Sequence, residues 1–265
     1  MTPIDDRPER FIGHLYPQII PDPDDVEPGA LAPWSSLPAS ARSGFTLRVV
    51  QESLLREHRL LATHPFPDDP QELSVVADAM PVPTTSRSAV LVALFEEEGE
   101  TSIVLTRRAL SMRTHGGEIA LPGGRSEDQE TPVETALREA QEEIGLDPST
   151  ITPLAWLSPI VSFAAGSSIW PVVGLLSGRP EFTIDRAEVD RAFTVTLADL
   201  VADDAFVEER WRRALLRPGA DADGYFPIHF YKVPGDIVWG ATARVVSELL
   251  SIVTGVSWAA ERGPR

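Results

Sequence analysis

The sequence predicts an α/β or α+β sandwich around a mixed β-sheet. Three observations carry that expectation. Short strand-like runs and a few helical segments follow one another in mixed order after residue 85, with no internal repeat. A helical pattern over 131–144 is ended by Gly145. The prolines are unevenly spread: 13 of the 24 lie before Thr84, eight of them within residues 1–40. Proline removes a backbone donor and fixes φ, so this stretch holds neither long helices nor central strands. Residues 1–85 therefore read as an extension to the domain that follows.

Within the extension, Phe11, Ile12, Leu15, Tyr16, Ile19, Ile20 and Trp34 are apolar enough to bury. That favours an arm docked on the domain over a disordered tail. Residues 44–62 read as a helix with Leu47, Val50, Leu54 and Leu61 on one face, stopped by His64-Pro65. Such an apolar face needs cover, from the domain or from a second subunit in a homodimer. Residues 65–86 read as a Pro-rich connection. Ala89–Phe95 and Ser102–Arg107 read as two strands of a hairpin, with the turn at Gly99. Further strands are expected at 154–157, 169–176, 192–197 and 226–233, and a last helix at 241–253 with Gly255 after it.

Composition excludes several classes. The chain of 265 residues has no cysteine, so disulfides, thiolate metal sites and a cysteine nucleophile are ruled out. Its formal net charge is −17, which disfavours binding to nucleic acid or an anionic membrane. No long uncharged apolar run suggests a membrane span, and the acidic, Pro-rich start does not read as a secretory signal, so a cytoplasmic location is expected. Ser162, Ser167 and Ser168 lack matching His and Asp partners, which argues against a serine triad.

The most informative segment runs from Gly123 to Leu146. On a helix, Glu139, Glu142 and Glu143 stand at i, i+3 and i+4 and share one edge. Like charges so close destabilise a helix. A divalent cation would relieve that repulsion, and carboxylate oxygens are what hard Mg²⁺ or Mn²⁺ prefers. A solvated acidic face is the alternative. Arg138, one turn before Glu142, is placed to orient that carboxylate. Leu121-Pro122-Gly123-Gly124 makes a sharp turn ahead of the helix, where backbone groups approach a ligand.

These residues resemble the Nudix box. Gly124, five residues, Glu130, seven residues, Arg138-Glu139, then Glu142-Glu143 and Gly145-Leu146 match its spacing throughout, with Ala140 where a larger aliphatic residue is usual. The resemblance implies a Nudix-type α/β/α sandwich over about 86–258, leaving 259–265 as a tail, and hydrolysis of a nucleoside diphosphate linked to another group. It implies that Glu139, Glu142 and Glu143 bind Mg²⁺ or Mn²⁺ with the carbonyl of Gly123, and that Arg138 orients them. Glu139 is alternatively the general base. Gly124, Glu130 and Gly145 are implied to be structural.

A second resemblance narrows the substrate. Leu105-Thr106-Arg107-Arg108-Ala109, Arg113, Gly117 and Leu121-Pro122-Gly123-Gly124 are similar to the extra motif of Nudix coenzyme A pyrophosphatases, with Leu121 for the usual Phe and Val104 for a Leu. Ile169–Gly174 and Ile237–Ala243 are similar to its core strand and the opening of its last helix. Arg107, Arg108 and Arg113 form a basic focus in an acidic chain, suited to the phosphates of a CoA-like small molecule. Strand-end arginines paired with Glu96–Glu98 are the alternative. His115 is a candidate phosphate donor or a holder of its own turn, and Glu188 a candidate metal or arginine partner or a surface residue. Other substrates, such as an ADP-sugar or NADH, and a silent nucleotide-binding module remain as alternative functions.

Overall fold

The computed structural model describes residues 18, 20–21, 23–57, 60–61, 86–162, 167–212 and 223–256. In chain order the strands are β1 (Asp25–Pro28), β2 (Ser86–Glu97), β3 (Glu100–Arg108), β4 (Ile119–Ala120), β5 (Gly123–Arg125), β6 (Ile151–Trp156), β7 (Ile160–Ser162), β8 (Ser167–Leu176), β9 (Val189–Thr196), β10 (Phe206–Arg212), β11 (Tyr225–Val233) and β12 (Asp236–Trp239). The helices are α1 (Leu47–Arg56), α2 (Pro132–Ile144), α3 (Leu197–Leu200) and α4 (Gly240–Thr254).

An eight-stranded sheet carries the expected mixed pairing. The order β4-β3-β2-β8-β6 forms its spine, β5 pairs with β2, β7 with β8 and β9 with β3. β2 and β8 run parallel and the other pairs antiparallel. The β2–β3 hairpin turns through Glu98 and Gly99, both at positive φ (54° and 81°), as a two-residue hairpin of the right twist requires. β2 and β8 are apolar on both faces, because each face has a layer against it. On one side Ala136, Ala140 and Ile144 of α2 pack on Ala89, Leu91, Ala93 and Phe95. On the other, α4 packs with the extension and a second sheet over Val92, Leu94, Ile103 and Leu105.

That second sheet, β1-β10-β11-β12, is antiparallel and was not expected from the sequence. β1 is an edge strand ending at Pro28, which suits a residue without an N–H. The extension is docked where it is described. Trp34 is 1% exposed, with its ring edge-on to Phe206, and Val50 and Leu54 of α1 are fully buried. Ile20 packs against Trp211, Phe230 and Ile237 on the outer face of the second sheet. Phe11, Ile12, Leu15, Tyr16, Ile19, His64-Pro65 and the tail lie outside the described residues.

The helix expected over 44–62 is shorter. Thr46 caps it, its side chain accepting from the Val49 amide, and Gly44 before it has φ 74°. At the other end Leu60 bridges Ala155 of β6, so the chain there is already extended. The domain also puts acceptors under the helix start. Glu96 accepts from the Leu47 amide, and Glu100 from the Gly44 and Phe45 amides. These carboxylates satisfy donors that a helix start leaves free. Among the described residues no helix is long and apolar enough to cross a membrane.

Candidate active site

The site lies where α2 faces the glycine loop and the end of β3. A capping box starts α2: the Thr131 side chain accepts from the Glu134 amide, and Glu134 accepts from the Thr131 amide. Gly145, in the left-handed region at φ 73°, ends it. A Cβ there would sit 2.8 Å from Thr183 Cβ.

The loop needs its glycines for two different reasons. Gly123 has φ 152°, and a Cβ on it would lie 2.3 Å from the Ala89 carbonyl oxygen, inside the β2–β5 pairing. A Cβ on Gly124 would instead lie 2.5 Å from the Glu139 carboxylate. The first glycine lets the strand pair, and the second leaves room for the Glu139 carboxylate.

Arg138 organises the glutamates. Its Nε and Nη2 donate to the two oxygens of Glu130 at 2.7 and 3.0 Å. Nη1 donates to Glu139 at 3.0 Å and to Glu142 at 2.9 Å, and Nη2 also donates to the Arg125 carbonyl at 3.0 Å. All five guanidinium protons are thus used. Glu130 further accepts from the Glu127 amide and the Thr135 hydroxyl. Chiefly through Arg138, these contacts pull its pKa down to about 2.

The three box glutamates differ sharply. Glu142 is 60% exposed and turned to Arg138. Glu139 is 14% exposed, and burial raises its pKa against the pull of Arg138, with the charges of Glu142 and Glu188 adding to the rise. Glu143 is 3% exposed. It accepts from the Gly123 amide at 3.1 Å, and its other oxygen lies 3.7 Å from Arg108 Nη1. Burial dominates all the same and pushes its pKa up to about 7, with Glu139 and Glu188 contributing. Glu188 is itself exposed, and its backbone carbonyl accepts from Ala109 at the end of β3.

A buried and a half-buried carboxylate under mutual repulsion suit a hard divalent cation, which would favour their charged forms. The donor chemistry fits Mg²⁺ or Mn²⁺. Among the described residues, though, no three His, Cys, Asp or Glu side chains already converge as a metal cage. Glu142 is instead hydrogen-bonded to Arg138.

The arginines separate. Arg108 is 22% exposed and faces Glu143, and among the described residues its buried Nε has no hydrogen-bond partner. Arg113 is exposed on the loop between β3 and β4. Arg107 does not join them. Its side chain is 1% exposed and ion-paired with Asp236 of β12, at 0%, and with Asp190 at 3.3 Å. It is not paired with Glu96–Glu98 either. Side chains alternate along β3, so Arg107 and Arg108 leave on opposite faces. His115, at φ 59°, contacts the Glu118 carboxylate at 3.1 Å and holds its own turn. Sequence reasoning missed Asp190 and Asp236. Asp236 follows Pro234-Gly235 and reads as an ordinary turn residue, with no signal to mark it.

With this geometry in view, comparison with known proteins is direct. A family model described as NUDIX domain matches residues 85–215. The Nudix hydrolase NudL of Pectobacterium atrosepticum is 31% identical over 179 residues, covering 67% of this chain and 88% of that one. Nudix hydrolase 22, chloroplastic, of Arabidopsis thaliana is 35% identical over 175 residues, 63% of this chain. A Nudix hydrolase from M. smegmatis, RenU, shares 25% identity over 44% of this chain and 73% of that one, with a TM-score of 0.38. The chain belongs to the Nudix family. It spans 55% and 58% of the lengths of two Arabidopsis relatives that it matches.

Proposed function

We propose that the protein is a metal-dependent hydrolase that cleaves the diphosphate of coenzyme A or its acyl derivatives, giving a phosphopantetheine and adenosine 3′,5′-bisphosphate. The observation that carries diphosphate chemistry is the pair of charge-destabilised carboxylates against the glycine loop, Glu143 buried and Glu139 half-buried. What Mg²⁺ or Mn²⁺ supplies when bound is neutralised phosphate charge and a more acidic attacking water. Glu139, Glu142 and Glu143 would hold it, with the Gly123 carbonyl. Water attacks one phosphorus in line, the bond from that phosphorus to the bridging oxygen breaks, and one of the buried carboxylates takes the water's proton. Arg138 and Glu130 keep the carboxylates aimed.

The CoA assignment rests on the motif from Leu105 to Gly124 and on Arg108, whose orphaned Nε and partly exposed guanidinium suit an anionic oxygen. Arg113 is the second candidate reader of phosphate. Arg107 is assigned to the framework. A screen of CoA, acyl-CoAs, NADH, ADP-ribose and dinucleoside polyphosphates with Mg²⁺ or Mn²⁺ tests this. The highest kcat/KM is expected on CoA or an acyl-CoA. Preference for NADH or ADP-ribose would overturn the substrate, and no turnover of any of them would overturn the activity. An Arg108→Ala or Arg113→Ala variant that reads the 3′-phosphate raises KM for CoA more than for dephospho-CoA, while equal losses move that residue to the diphosphate.

A further inference from the structure

The ion-pair network at the end of β3 joins the second sheet to the site. Arg107 presents two donors to the two oxygens of Asp236, Nε at 3.2 Å and Nη2 in a closer contact. Its Nη1 donates to Asp190 at 3.3 Å. Arg191 completes an alternating row, with Nη1 3.9 Å from Asp236 and Nη2 donating to the Pro234 carbonyl. The β3–β9 register slips at this point: Arg107 pairs with Arg191 but Arg108 with Val189, so Asp190 is the extra residue of a bulge. Bulges re-aim the side chains beside them.

A buried ion pair is a poor source of stability, since well-packed apolar residues hold two layers equally well. What apolar residues lack is the direction of a two-pronged guanidinium–carboxylate contact. Here that direction is imposed one residue before Arg108, on a strand end whose pairing with β9 slips between Arg107 and Arg108. The Arg108 amide donates to Glu118, the Gly117 amide to Arg108, and the Ala109 amide to Glu188. We propose that Asp236 is a positioning residue for the site: through the buried Arg107 it fixes the end of β3, and thereby aims Arg108 at Glu143 and the substrate. The link to substrate rests on the hydrolase reading above.

Two variants test it. Asp236→Asn keeps the shape and weakens the pair. Arg107→Met/Asp236→Leu replaces it with apolar bulk and guards against misfolding from an unpaired buried charge. Amide hydrogen exchange needs no substrate. At Arg108, Ala109 and Gly117 it is expected to speed up by on the order of tenfold, with α2 unchanged. On the substrate that the wild type turns over, kcat/KM is expected to fall by about 10- to 100-fold, the scale of a small misplacement. Adding Arg108→Ala to either variant should then cost little more, because both changes act through one guanidinium. Folded variants with wild-type exchange at the three amides, or losses that multiply with Arg108→Ala, overturn the proposal. If the wild type turns over nothing, the hydrolase reading fails instead, and the exchange data alone decide whether Asp236 fixes the strand end.

Discussion

The two sides of the eight-stranded sheet treat buried polar groups in opposite ways. On the far side from α2, the Tyr231 hydroxyl meets Ser247 Oγ at 2.7 Å, Ser247 meets His229 Nδ1 at 2.7 Å, and His229 Nε2 meets Glu208 at 3.2 Å. Glu208 also accepts from the Ala30 amide of the extension. The order serine, histidine, carboxylate resembles a hydrolytic triad, but Ser247 is 2% exposed and capped by Tyr231. The chain of bonds works as a polar seam between α4, the second sheet and the extension. On the α2 side Glu143 is buried and Glu139 half-buried, and burial raises the pKa of both despite their partners. One side pairs its buried histidine, serine and carboxylate with one another and stabilises the fold. The other holds charge that a cation would relieve, as expected of a functional site.

The largest effect that would break this contrast is on turnover. Glu142→Gln and Glu143→Gln should each lower kcat by on the order of a thousandfold, the scale of losing a preorganised electrostatic contact. Both should fold. Mn²⁺ should raise the melting temperature of the wild type and do so much less in the variants, because a ligand bound only by the folded state stabilises it. Wild-type rates in both variants would remove the metal assignment.

The other side is broken differently. Trp34→Ala empties a site packed by Phe206 and Tyr231 and should cost about 3–5 kcal/mol by denaturant unfolding. The kcat of the protein that remains folded should stay at the wild-type value. A drop in kcat matching the stability loss would mean that the extension reaches the site after all.

Legibility in the sequence follows the same division. The α2 side is written in one contiguous stretch. The capping threonine, the i, i+3, i+4 glutamates and the terminal glycine fix their geometry locally, so the helix and its glutamate edge are legible from spacing, while the metal role is what the resemblance to the Nudix box implies. The far side is assembled from contacts between distant segments. β10, Phe-Val-Glu-Glu-Arg-Trp-Arg, hides its alternation because the inward Glu208 is charged and meets His229, 21 residues on, and the Ala30 amide of the extension. β12 has four residues and merged with the helix that follows. Arg107 and Arg108 were grouped because they are neighbours and basic. Which faces Glu143 and which faces Asp236 depends on a strand that lies more than a hundred residues away, |i−j| being 129 for that pair.

Gly123 and Gly124 sharpen the boundary between the two kinds of requirement. Gly123→Ala puts a methyl into backbone at a φ that L residues rarely adopt, and it should lower stability by about 2–3 kcal/mol along with activity. Gly124→Ala meets only the end of a side chain, Glu139, which can swing away. It should lower kcat while moving the melting temperature little. Equal stability losses in the two variants would show that Gly124, too, is needed by the backbone.

The smallest effect is in stability against pH without metal, and its sign follows from the site. Glu143 titrates near 7 in the folded protein against an ordinary 4.5, so the folded state holds a proton where the unfolded chain has released it. Its contribution to stability therefore rises as pH falls from 8 through 7 and levels off below 4.5. Glu130 has the opposite sign. Its pKa of about 2 means that its contribution, through Arg138, is present above 4.5 and lost as pH falls towards 2. In EDTA, wild-type stability should therefore increase from pH 8 to about 5 and decline in stronger acid. Glu143→Gln isolates the first arm, because the neutral amide can still accept from the Gly123 amide. At pH 8 that variant should be more stable than wild type by on the order of 1–3 kcal/mol, and the gap should close by pH 5. A variant less stable than wild type at pH 8 would mean that Arg108 and the Gly123 amide already compensate this carboxylate, and that the two sides of the sheet are alike.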